Sequence, residues 1–343
     1  MEKVRLGRTE LMVTKTAFGA LPIQRISKAD AVKLVRRAAD AGINYFDTAN
    51  MYTDSEEKLG AALEGIPRQN VVISTKSGGE DKKTVLRHIE QSLRSLKTDY
   101  IDLFQFHNPA KLPDIHDPEG PFAAALEMKK RGYIRHIGIT NHRLHIAQQA
   151  IASGNFETLQ FPFCYLTTEK ELGLVDACAK ADMGYIAMKG LSGGLLNNAE
   201  ACYAFMQEYS SVVPIWGIQH EWELDQWLDL AERNPHLTPE LRAVIEADRK
   251  DLAGSFCRSC GYCLPCAAGI DIPQAARMSA LLRRSPYQQY MTDTWHEKMH
   301  QIENCVHCGA CKSRCPYGLD TPNLLVEMLR DYDSFYEKHH HEA

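Results

Sequence analysis

The sequence predicts a (β/α)8 barrel followed by a small, mainly helical second domain. Eight short apolar runs recur along the first two thirds of the 343-residue chain, and helix-periodic segments separate them. The runs are almost continuously apolar, as expected for parallel strands that are buried on both faces. Eight of the eleven cysteines follow residue 250, which indicates that a second module begins near that point.

Each apolar run is a predicted strand, and the starts of the runs lie 24 to 33 residues apart, the length of a strand–helix unit. In chain order, the runs begin at Thr16, Tyr45, Val71, Ile101, Ile134, Thr158, Tyr185 and Val212. The residues before the first run are expected to form a hairpin over the floor of the barrel.

The segments between the runs have helical signals. A helix is predicted between Ser27, an N-cap candidate, and Gly42. A later segment places four apolar residues on one stripe of a helix: Val85, Ile89, Leu93 and Leu96. An open doubly wound sheet is the alternative architecture, but no G-x-G-x-x-G motif follows the first predicted strand.

Composition narrows the class of protein. A formal charge of −5 and a pI near 6.3 provide no electrostatic footprint for nucleic acid. The N-terminus is charged from its second residue, unlike a signal peptide, and no run approaches the ~18 apolar residues of a membrane helix. A cytoplasmic location is therefore expected. Clustered cysteines in that compartment indicate metal ligands rather than disulfides.

Polar residues follow the second, third and fourth predicted strands. Asp47, Lys76 and His107 end these strands, and Tyr52 lies on the loop after the second strand. Each residue alone would be explained as a helix cap or a surface group. Because barrel enzymes place reactive groups at the C-terminal ends of their strands, the four together predict an active site.

These four side chains suit carbonyl reduction or alcohol oxidation. A buried ammonium at Lys76, paired with Asp47, would lower the pKa of the neighbouring Tyr52 phenol. A neutral His107 could donate a hydrogen bond to a carbonyl oxygen and orient it. Tyr52 would then protonate that oxygen as negative charge develops on it.

Four stretches that carry these residues, NYFDTANMYTDSEEKLG, VVISTK, YIDLFQFH and IRHIGITNH, resemble the aldo-keto reductase family. The resemblance covers about residues 1–235 and matches Asp47, Tyr52, Lys76 and His107 to the family's Asp–Tyr–Lys–His tetrad. It implies a (β/α)8 barrel that uses NADPH, or less often NADH, with no metal at the reacting centre.

The resemblance also implies a set of cofactor contacts. Thr140, Asn141 and Gln160 would hold the nicotinamide carboxamide, and Met188 would pack on the nicotinamide ring. The other expected cofactor contacts are at the strand ends and in the loops that would bind the pyrophosphate and adenosine: Gly19, Asp47, Lys189, Gly190, Leu191, Gly217 and Gln219.

Two segments depart from the family pattern. Gly190 replaces the Pro that commonly follows the Lys of that segment. Gln219 and Trp227 stand where the family typically has an Arg or Lys for the 2′-phosphate and an Asn for the adenine. Neither residue can form a charge-assisted pair with phosphate, so we expect discrimination in favour of NADPH to be weak or reversed.

The cysteines form two runs of four. Cys305, Cys308, Cys311 and Cys315, followed by Pro316, have the C-x2-C-x2-C-x3-C-P spacing of bacterial [4Fe–4S] clusters. The earlier run, Cys257, Cys260, Cys263 and Cys266, is one residue tighter. Zinc is the alternative metal, but zinc sites usually use two well-separated C-x2-C pairs.

Residues 254–325 resemble the ferredoxin-like tail that is fused to one branch of aldo-keto reductases. This resemblance implies two [4Fe–4S] clusters that exchange their last ligands. We expect one cluster to be held by Cys257, Cys260, Cys263 and Cys315. The other would be held by Cys305, Cys308, Cys311 and Cys266.

The sequence thus predicts a barrel over residues 1–237 and a helical ferredoxin-like domain over residues 238–343. The leading function is nicotinamide-dependent carbonyl reduction of a small molecule, or the reverse, with clusters that transfer electrons or serve as structural staples. The alternative is an electron-transfer or redox-sensing protein whose barrel docks a flavoprotein or another redox partner. No nucleic-acid or membrane partner is expected.

Overall fold

The computed structural model of the protein describes residues 1–252 and 256–342. Residues 253–255 and 343, which fall inside the predicted second domain, lie outside the described residues. The chain divides into two compact units. The first comprises Met1–Gly190 and Ala199–Arg242, and the second comprises Leu191–Asn198 and Ala243–Ala343.

The first unit is the predicted barrel: β3 to β10 close in the order β10-β3-β4-β5-β6-β7-β8-β9, and every pairing between them is parallel. The strands are β1 (Lys3–Arg5), β2 (Met12–Thr14), β3 (Ala17–Gly19), β4 (Tyr45–Asp47), β5 (Val72–Ser77), β6 (Ile101–His107), β7 (Ile134–Thr140), β8 (Thr158–Pro162), β9 (Gly184–Met188) and β10 (Val212–Gly217). Almost all residues of β3 to β10 are buried, as the continuous apolar runs predicted.

Helices alternate with these strands. They are α1 (Lys28–Asp40), α2 (Ser55–Leu63), α3 (Lys82–Ser95), α4 (Pro121–Lys130), α5 (Leu144–Ser153), α6 (Glu169–Lys180), α7 (Ala199–Gln207) and α8 (Glu221–Arg233), with 3₁₀ turns at Pro22–Arg25 and Arg68–Asn70. Ser27 caps α1 as predicted, since its hydroxyl accepts a hydrogen bond from the amide of Asp30 at 3.1 Å. On α3, Val85 and Ile89 of the predicted stripe are buried.

The predicted N-terminal hairpin closes one end of the barrel. Strands β1 and β2 pair antiparallel. Leu6 and Val13 are fully buried and belong to one core cluster with residues at or near the starts of barrel strands, among them Tyr45, Val72 and Val213. The hairpin therefore covers the end at which the strands begin, and the strand ends face the opposite side.

The second unit is helical. Its helices are α9 (Pro239–Asp251, whose first turn belongs to the first unit), α10 (Ile272–Ala275), α11 (Met278–Arg284), α12 (Asp293–His300), α13 (Ala310–Arg314) and α14 (Thr321–His339), with 3₁₀ turns at Tyr287–Tyr290, Gln301–Asn304 and His340–Glu342. Its core gathers side chains such as Leu281, Met299 and Tyr332. The Tyr332 hydroxyl donates a hydrogen bond to the Tyr290 carbonyl at 2.8 Å.

Residues 191–198, between β9 and α7, belong to the second unit rather than to the barrel. The Leu195 side chain is fully buried in the second unit's core. Arg284 Nε donates to the Leu195 carbonyl at 2.9 Å, and the Arg277 guanidinium donates to the Gly193 carbonyl. The chain thus enters the second unit once before it completes the barrel, a feature that was not predicted from the sequence.

Two further observations concern the whole chain. The cysteines before residue 250, Cys164, Cys178 and Cys202, are buried. No helix within the described ranges is both long enough and apolar enough to cross a membrane.

Candidate active site and cysteine clusters

An ion pair is buried where the barrel strands end. Asp47 is the last residue of β4, and Lys76 lies one residue before the end of β5. Lys76 Nζ donates to Asp47 Oδ2 at 2.5 Å and to the Thr48 carbonyl at 2.6 Å. The exposed fractions of Lys76 and Asp47 are only 1% and 2%. A charged pair this deep is stable only because each charge is compensated by the other and by hydrogen bonds.

Polar side chains around the pair stabilise the Asp47 carboxylate. Asp47 Oδ1 accepts from the Ser74 hydroxyl at 2.6 Å and from the Gln105 amide at 3.4 Å. Burial lowers the pKa of Lys76, and the Asp47 carboxylate opposes this shift because it stabilises the ammonium form.

Tyr52 and His107 adjoin this pair. The centroid of the Tyr52 ring lies 5.5 Å from Lys76 Nζ. The Tyr52 and His107 rings meet edge-on, with centroids 5.7 Å apart and an interplanar angle of 80°. The structure therefore brings all four predicted catalytic side chains to one place at the strand ends.

His107 is a neutral imidazole at physiological pH. Burial, and then the positive charge of Lys76, lower the pKa of His107 to about 3. Its Nδ1 is buried without a hydrogen-bond partner among the described residues. A neutral ring carries one N–H, so His107 can act as a hydrogen-bond donor to an oxygen but not as a cation.

Three supporting residues were not predicted. Ser74 and Gln105 hold Asp47, and Glu56 is a second buried carboxylate, which accepts from the Thr75 hydroxyl at 2.6 Å. Burial raises the pKa of Glu56. Strand alternation could have identified Ser74 and Gln105, because each lies two residues before a predicted catalytic residue and on the same strand face. Glu56 has no comparable signal, because α2 supplies it.

The predicted carboxamide contacts surround a thioether. Thr140 ends β7, Gln160 lies on β8 and Met188 ends β9. The Thr140 hydroxyl and the Gln160 amide each approach Met188 Sδ at 3.8 Å. Sulfur is a weak acceptor, so these two donors can exchange it for a carboxamide oxygen. Gln105 fixes Gln160 because its amide donates to Gln160 Oε1 at 2.8 Å.

The other predicted cofactor residues are spread along the same strand ends. Asn141 is fully buried, and its amide donates to the Pro109 carbonyl at 2.9 Å. Gly19 and Gly217 end β3 and β10, and Gly19 is paired with Asp47. The last sites follow β9: Lys189 has a positive φ of 63°, and Leu191 belongs to the second unit.

Side-chain packing explains why Gly190 departs from the family pattern. A Cβ atom at this position would lie 2.5 Å from Cζ3 of Trp216. Trp216 in turn stacks on Trp227, with centroids 3.9 Å apart. Gly190 is therefore required by the Trp216 ring. Trp227 is 2% exposed and is a core residue, so it is not accessible to an adenine.

The start of α8 is occupied by a carboxylate. Glu223 Oε2 accepts from the backbone amides of Gln219 at 2.7 Å and His220 at 2.9 Å. Amides at a helix N-terminus form a ready anion site. Here the chain's own Glu223 satisfies these donors and adds negative charge next to Gln219.

The cysteines of the second unit meet across the two runs. Cys257, Cys260, Cys263 and Cys315 line one small cavity, together with Tyr317. Burial, followed by the neighbouring thiols of Cys257 and Cys260, raises the pKa of Cys263 to about 12. Crowded thiolates repel one another, and a positively charged iron core removes that repulsion, so this cavity fits a cluster that takes its fourth ligand from the second run.

The remaining cysteines form a second group. Burial raises the pKa of Cys311, and the thiols of Cys305 and Cys308 add to this effect, which indicates that the three lie close together. Cys308 is exposed, whereas Cys266 and Cys305 pack against the core of the second unit. The assignment of Cys266 to this group stays a prediction.

Family models match both parts of the chain. The model described as "Aldo/keto reductase family" matches residues 15–233, well over half of the sequence. A second model, described as "4Fe-4S dicluster domain", matches residues 256–320.

Curated relatives are moderately similar. The chain is 32% identical to an L-galactose dehydrogenase from Arabidopsis thaliana over 212 residues, which cover 56% of this chain and 66% of that protein. It is 34% identical to the methylglyoxal reductase DkgB from Escherichia coli O157:H7 over 147 residues, or 42% of this chain and 54% of that one. The chain thus spans between half and two thirds of the length of these relatives.

Solved structures share the barrel. The holo form of an aldo-keto reductase from Bacillus halodurans superposes with a TM-score of 0.63 at 23% identity, over 72% of this chain and 96% of that chain. An aldo-keto reductase from Klebsiella pneumoniae in complex with NADPH has a TM-score of 0.62 at 22% identity, over 72% and 94%. At this level of identity the likeness establishes the fold alone.

Proposed function

Because the chain belongs to the aldo/keto reductase family and carries a 4Fe-4S dicluster domain, we propose that it is a nicotinamide-dependent oxidoreductase that interconverts a small carbonyl compound and its alcohol. One observation carries the proposal: Asp47, Tyr52, Lys76 and His107 converge where the barrel strands end. Two curated relatives are a methylglyoxal reductase and an L-galactose dehydrogenase. Methylglyoxal and L-galactose are therefore the first substrates to test.

Each residue of the tetrad has a separate task. A bound reduced nicotinamide supplies the hydride. His107, neutral because of its low pKa, donates a hydrogen bond to the carbonyl oxygen and orients it. Tyr52 gives its proton to the same oxygen as negative charge develops there. Lys76 stabilises the phenolate that remains, and Asp47 keeps Lys76 charged and in place.

The nicotinamide site that we propose uses the donors at the ends of β7 and β8. Thr140 and Gln160 would bind the carboxamide in place of the Met188 sulfur that they now approach. Met188 would then pack against the ring. On the adenosine side, Glu223 at the start of α8 disfavours a 2′-phosphate, so NADH should bind at least as well as NADPH.

We propose two [4Fe–4S] clusters in the second unit, with the exchanged ligands expected from the sequence. The cavity shared by Cys315 and the first three cysteines of the earlier run supports the exchange. A cluster transfers one electron at a time, whereas nicotinamide chemistry moves two electrons together. The clusters therefore serve either a separate one-electron partner or the stability of the second unit.

An electron-transfer or redox-sensing role is the second candidate, and the exposure of Cys308 favours it. A cluster ligated there would lie close to the protein surface, where a flavoprotein or another redox partner could reach it. Steady carbonyl turnover by the purified protein would argue against this candidate as the principal function. Absence of turnover with both probes, combined with rapid reduction of the clusters by a flavoprotein, would favour it.

The test of the proposal is Tyr52→Phe, with Tyr133→Phe as the matched control because Tyr133 precedes β7 at the opposite end of the barrel. General acid catalysis contributes about 10²–10⁴-fold. We expect kcat for methylglyoxal reduction or L-galactose oxidation to fall by that factor in Tyr52→Phe, with an unchanged Kd for the nicotinamide. The control should retain wild-type turnover. Wild-type kcat in Tyr52→Phe would refute the proposed role of the phenol.

A further inference from the structure

Two histidines and an aspartate converge inside the second unit. His296 and His300 lie one turn apart on α12, and Asp333 lies on α14. One potential ligand atom from each residue lies within 4.8 Å of the corresponding atoms of the other two. The imidazole centroids are 4.4 Å apart. Histidines at i and i+4 share one helix face, as in helices that bind a metal through two imidazoles.

Each of the three residues also carries a buried atom that lacks an ordinary partner. His296 Nδ1, His300 Nε2 and Asp333 Oδ1 are all buried and form no acceptable hydrogen bond with any described residue. His300 Nε2 and Asp333 Oδ1 are nevertheless 3.2 Å apart. Ligand atoms at about 2.0 Å from a tetrahedral ion are separated by about 3.3 Å, so this spacing fits two ligands of one ion.

A second carboxylate holds the outer side of His300. Glu303 Oε1 lies 3.2 Å from His300 Nδ1. A metal-bound imidazole typically donates its other N–H to a carboxylate, which fixes the tautomer and orients the ring. If Nδ1 carries the proton for Glu303, Nε2 presents a lone pair to the Asp333 oxygen. A cation between these two atoms resolves that repulsion.

We propose that His296, His300 and Asp333 form a binding site for a divalent transition-metal ion, with Zn²⁺ as the ion that best fits the set. Two imidazoles and one carboxylate are ligands that Zn²⁺ takes in three-ligand sites, and the fourth position is left for water or a small anion. The side chains of His300 and Asp333 are 31% and 39% exposed, so the site lies close to the surface although its ligand atoms are buried. Glu297, the acidic residue of the local H-E-x-x-H pattern, is exposed, and we assign it no role.

The alternative explanation is a protonated His300 that bridges Glu303 and Asp333 without any ion. That arrangement does not need His296, whereas a metal site does. The His296 ring stacks on Tyr336 with centroids 4.4 Å apart, and this contact accounts for its position but not for its buried, unpartnered nitrogen.

The test titrates Zn²⁺ into the full-length protein, purified without oxygen and with its clusters loaded, by isothermal calorimetry. Wild type should bind one ion tightly. Loss of an outer partner costs about 10–100-fold in metal affinity, so Glu303→Gln should weaken binding by about tenfold, and His296→Ala and Asp333→Asn should weaken it by more than ~100-fold. His116→Ala, at an exposed histidine of the barrel unit, should leave the affinity unchanged.

Iron content and circular dichroism of each variant show whether it remains folded. If His296→Ala does not fold, Asp333→Asn still tests the site, because it preserves the shape of the side chain. Zinc absorption-edge spectroscopy identifies the ligands: only nitrogen and oxygen at about 2.0–2.1 Å is the expected result, whereas sulfur at about 2.3 Å would place the ion at the cysteines. Sulfur ligation, or equal Zn²⁺ binding by wild type and His296→Ala, would overturn the proposal.

Discussion

At the scale of single residues, burial decides the protonation states in the candidate active site. Lys76 and Asp47 share one buried environment, and removing either would leave an uncompensated charge, which typically costs about 3–5 kcal/mol. His107 is neutral instead, because burial lowers its pKa, Lys76 repels its protonated form, and no carboxylate among the described residues is paired with it. The same ammonium thus depends on Asp47 for its own charge and adds to the effect of burial that keeps His107 neutral.

The low pKa of His107 predicts an acid-sensitive barrel. The unfolded chain takes up a proton at this residue near its ordinary pKa of about 6.5, whereas the folded chain does so only near a pKa of about 3. Stability that is present above pH 6.5 should therefore be lost progressively as pH falls toward 3. His107→Gln should lose less stability than wild type between pH 7 and pH 5, as measured by thermal unfolding followed by circular dichroism.

The matched control for this measurement is His116→Gln, because His116 is exposed. Its pH dependence should follow wild type. Identical slopes for wild type and His107→Gln would show that His107 titrates normally in the folded protein.

The sequence could predict that Asp47, Tyr52, Lys76 and His107 converge, because residue type and strand end together are informative. Strand alternation places Ser74 and Gln105 on the face of the predicted catalytic residues, but it does not predict that both donate to Asp47. Nor does it predict that Glu56 is buried and accepts from Thr75. These contacts depend on strand register and on how α2 packs. The His296–His300 pair had a visible spacing, but Asp333, more than thirty residues away on another helix, had no local signal.

At the scale of elements, the start of α8 carries the strongest functional consequence. The Glu223 carboxylate accepts from two backbone amides there, and the helix dipole adds to this stabilisation. A 2′-phosphate that approached the same amides would have to displace Glu223 or tolerate its charge.

Cofactor preference should therefore change with one substitution. Wild type should bind NADH at least as tightly as NADPH. Gln219 cannot form the charge-assisted pair with the 2′-phosphate that an Arg or Lys would form, and such a pair would contribute about 1.5–3 kcal/mol to NADPH binding. Glu223→Gln should shift the Kd ratio toward NADPH, and Glu232→Gln, an exposed position near the end of α8, should not. Fluorescence titration of both cofactors measures the ratio. NADPH binding about a hundredfold tighter in wild type, a gap of about 2.8 kcal/mol, would mean that another residue binds the phosphate.

Most barrel elements could be predicted because their signals are local. Apolar runs of strand length, the Ser27 cap and the α3 stripe all reflect contacts within one strand–helix unit. The membership of residues 191–198 in the second unit could not be predicted in this way, because it depends on Arg277 and Arg284, which lie 84 and 89 residues further along the chain than the carbonyls they bind.

At the scale of the whole molecule, cysteines from both runs line one cavity of the second unit. Cys315, the last of the eight, lines the same cavity as Cys257, Cys260 and Cys263. If it ligates their cluster, about fifty residues are enclosed between the ligands. Metal binding then contributes to the folding of the second unit as a whole.

The loss of one thiol should therefore affect the cluster of the other run. Cys315→Ala should lose the same paramagnetic resonance signal as Cys260→Ala, and a different one from Cys308→Ala, when the proteins are reduced without oxygen. Its iron content should fall by more than one ligand would account for, because the second unit is loosened. Cys178→Ala, a buried barrel cysteine, is the control and should retain both signals. Agreement between Cys315→Ala and Cys308→Ala would instead show that each run binds its own cluster.

Residues 191–198 determine how this protein can be divided. A chain shortened after Arg242 would keep Leu195 but lose the side chains that bury it, and it would also lose the arginines that bind the carbonyls of Gly193 and Leu195. The shortened barrel would carry an exposed apolar residue between β9 and α7. Transplanting the cysteine-rich unit onto another barrel accordingly means moving two pieces of sequence, the C-terminal region and the eight residues of this loop.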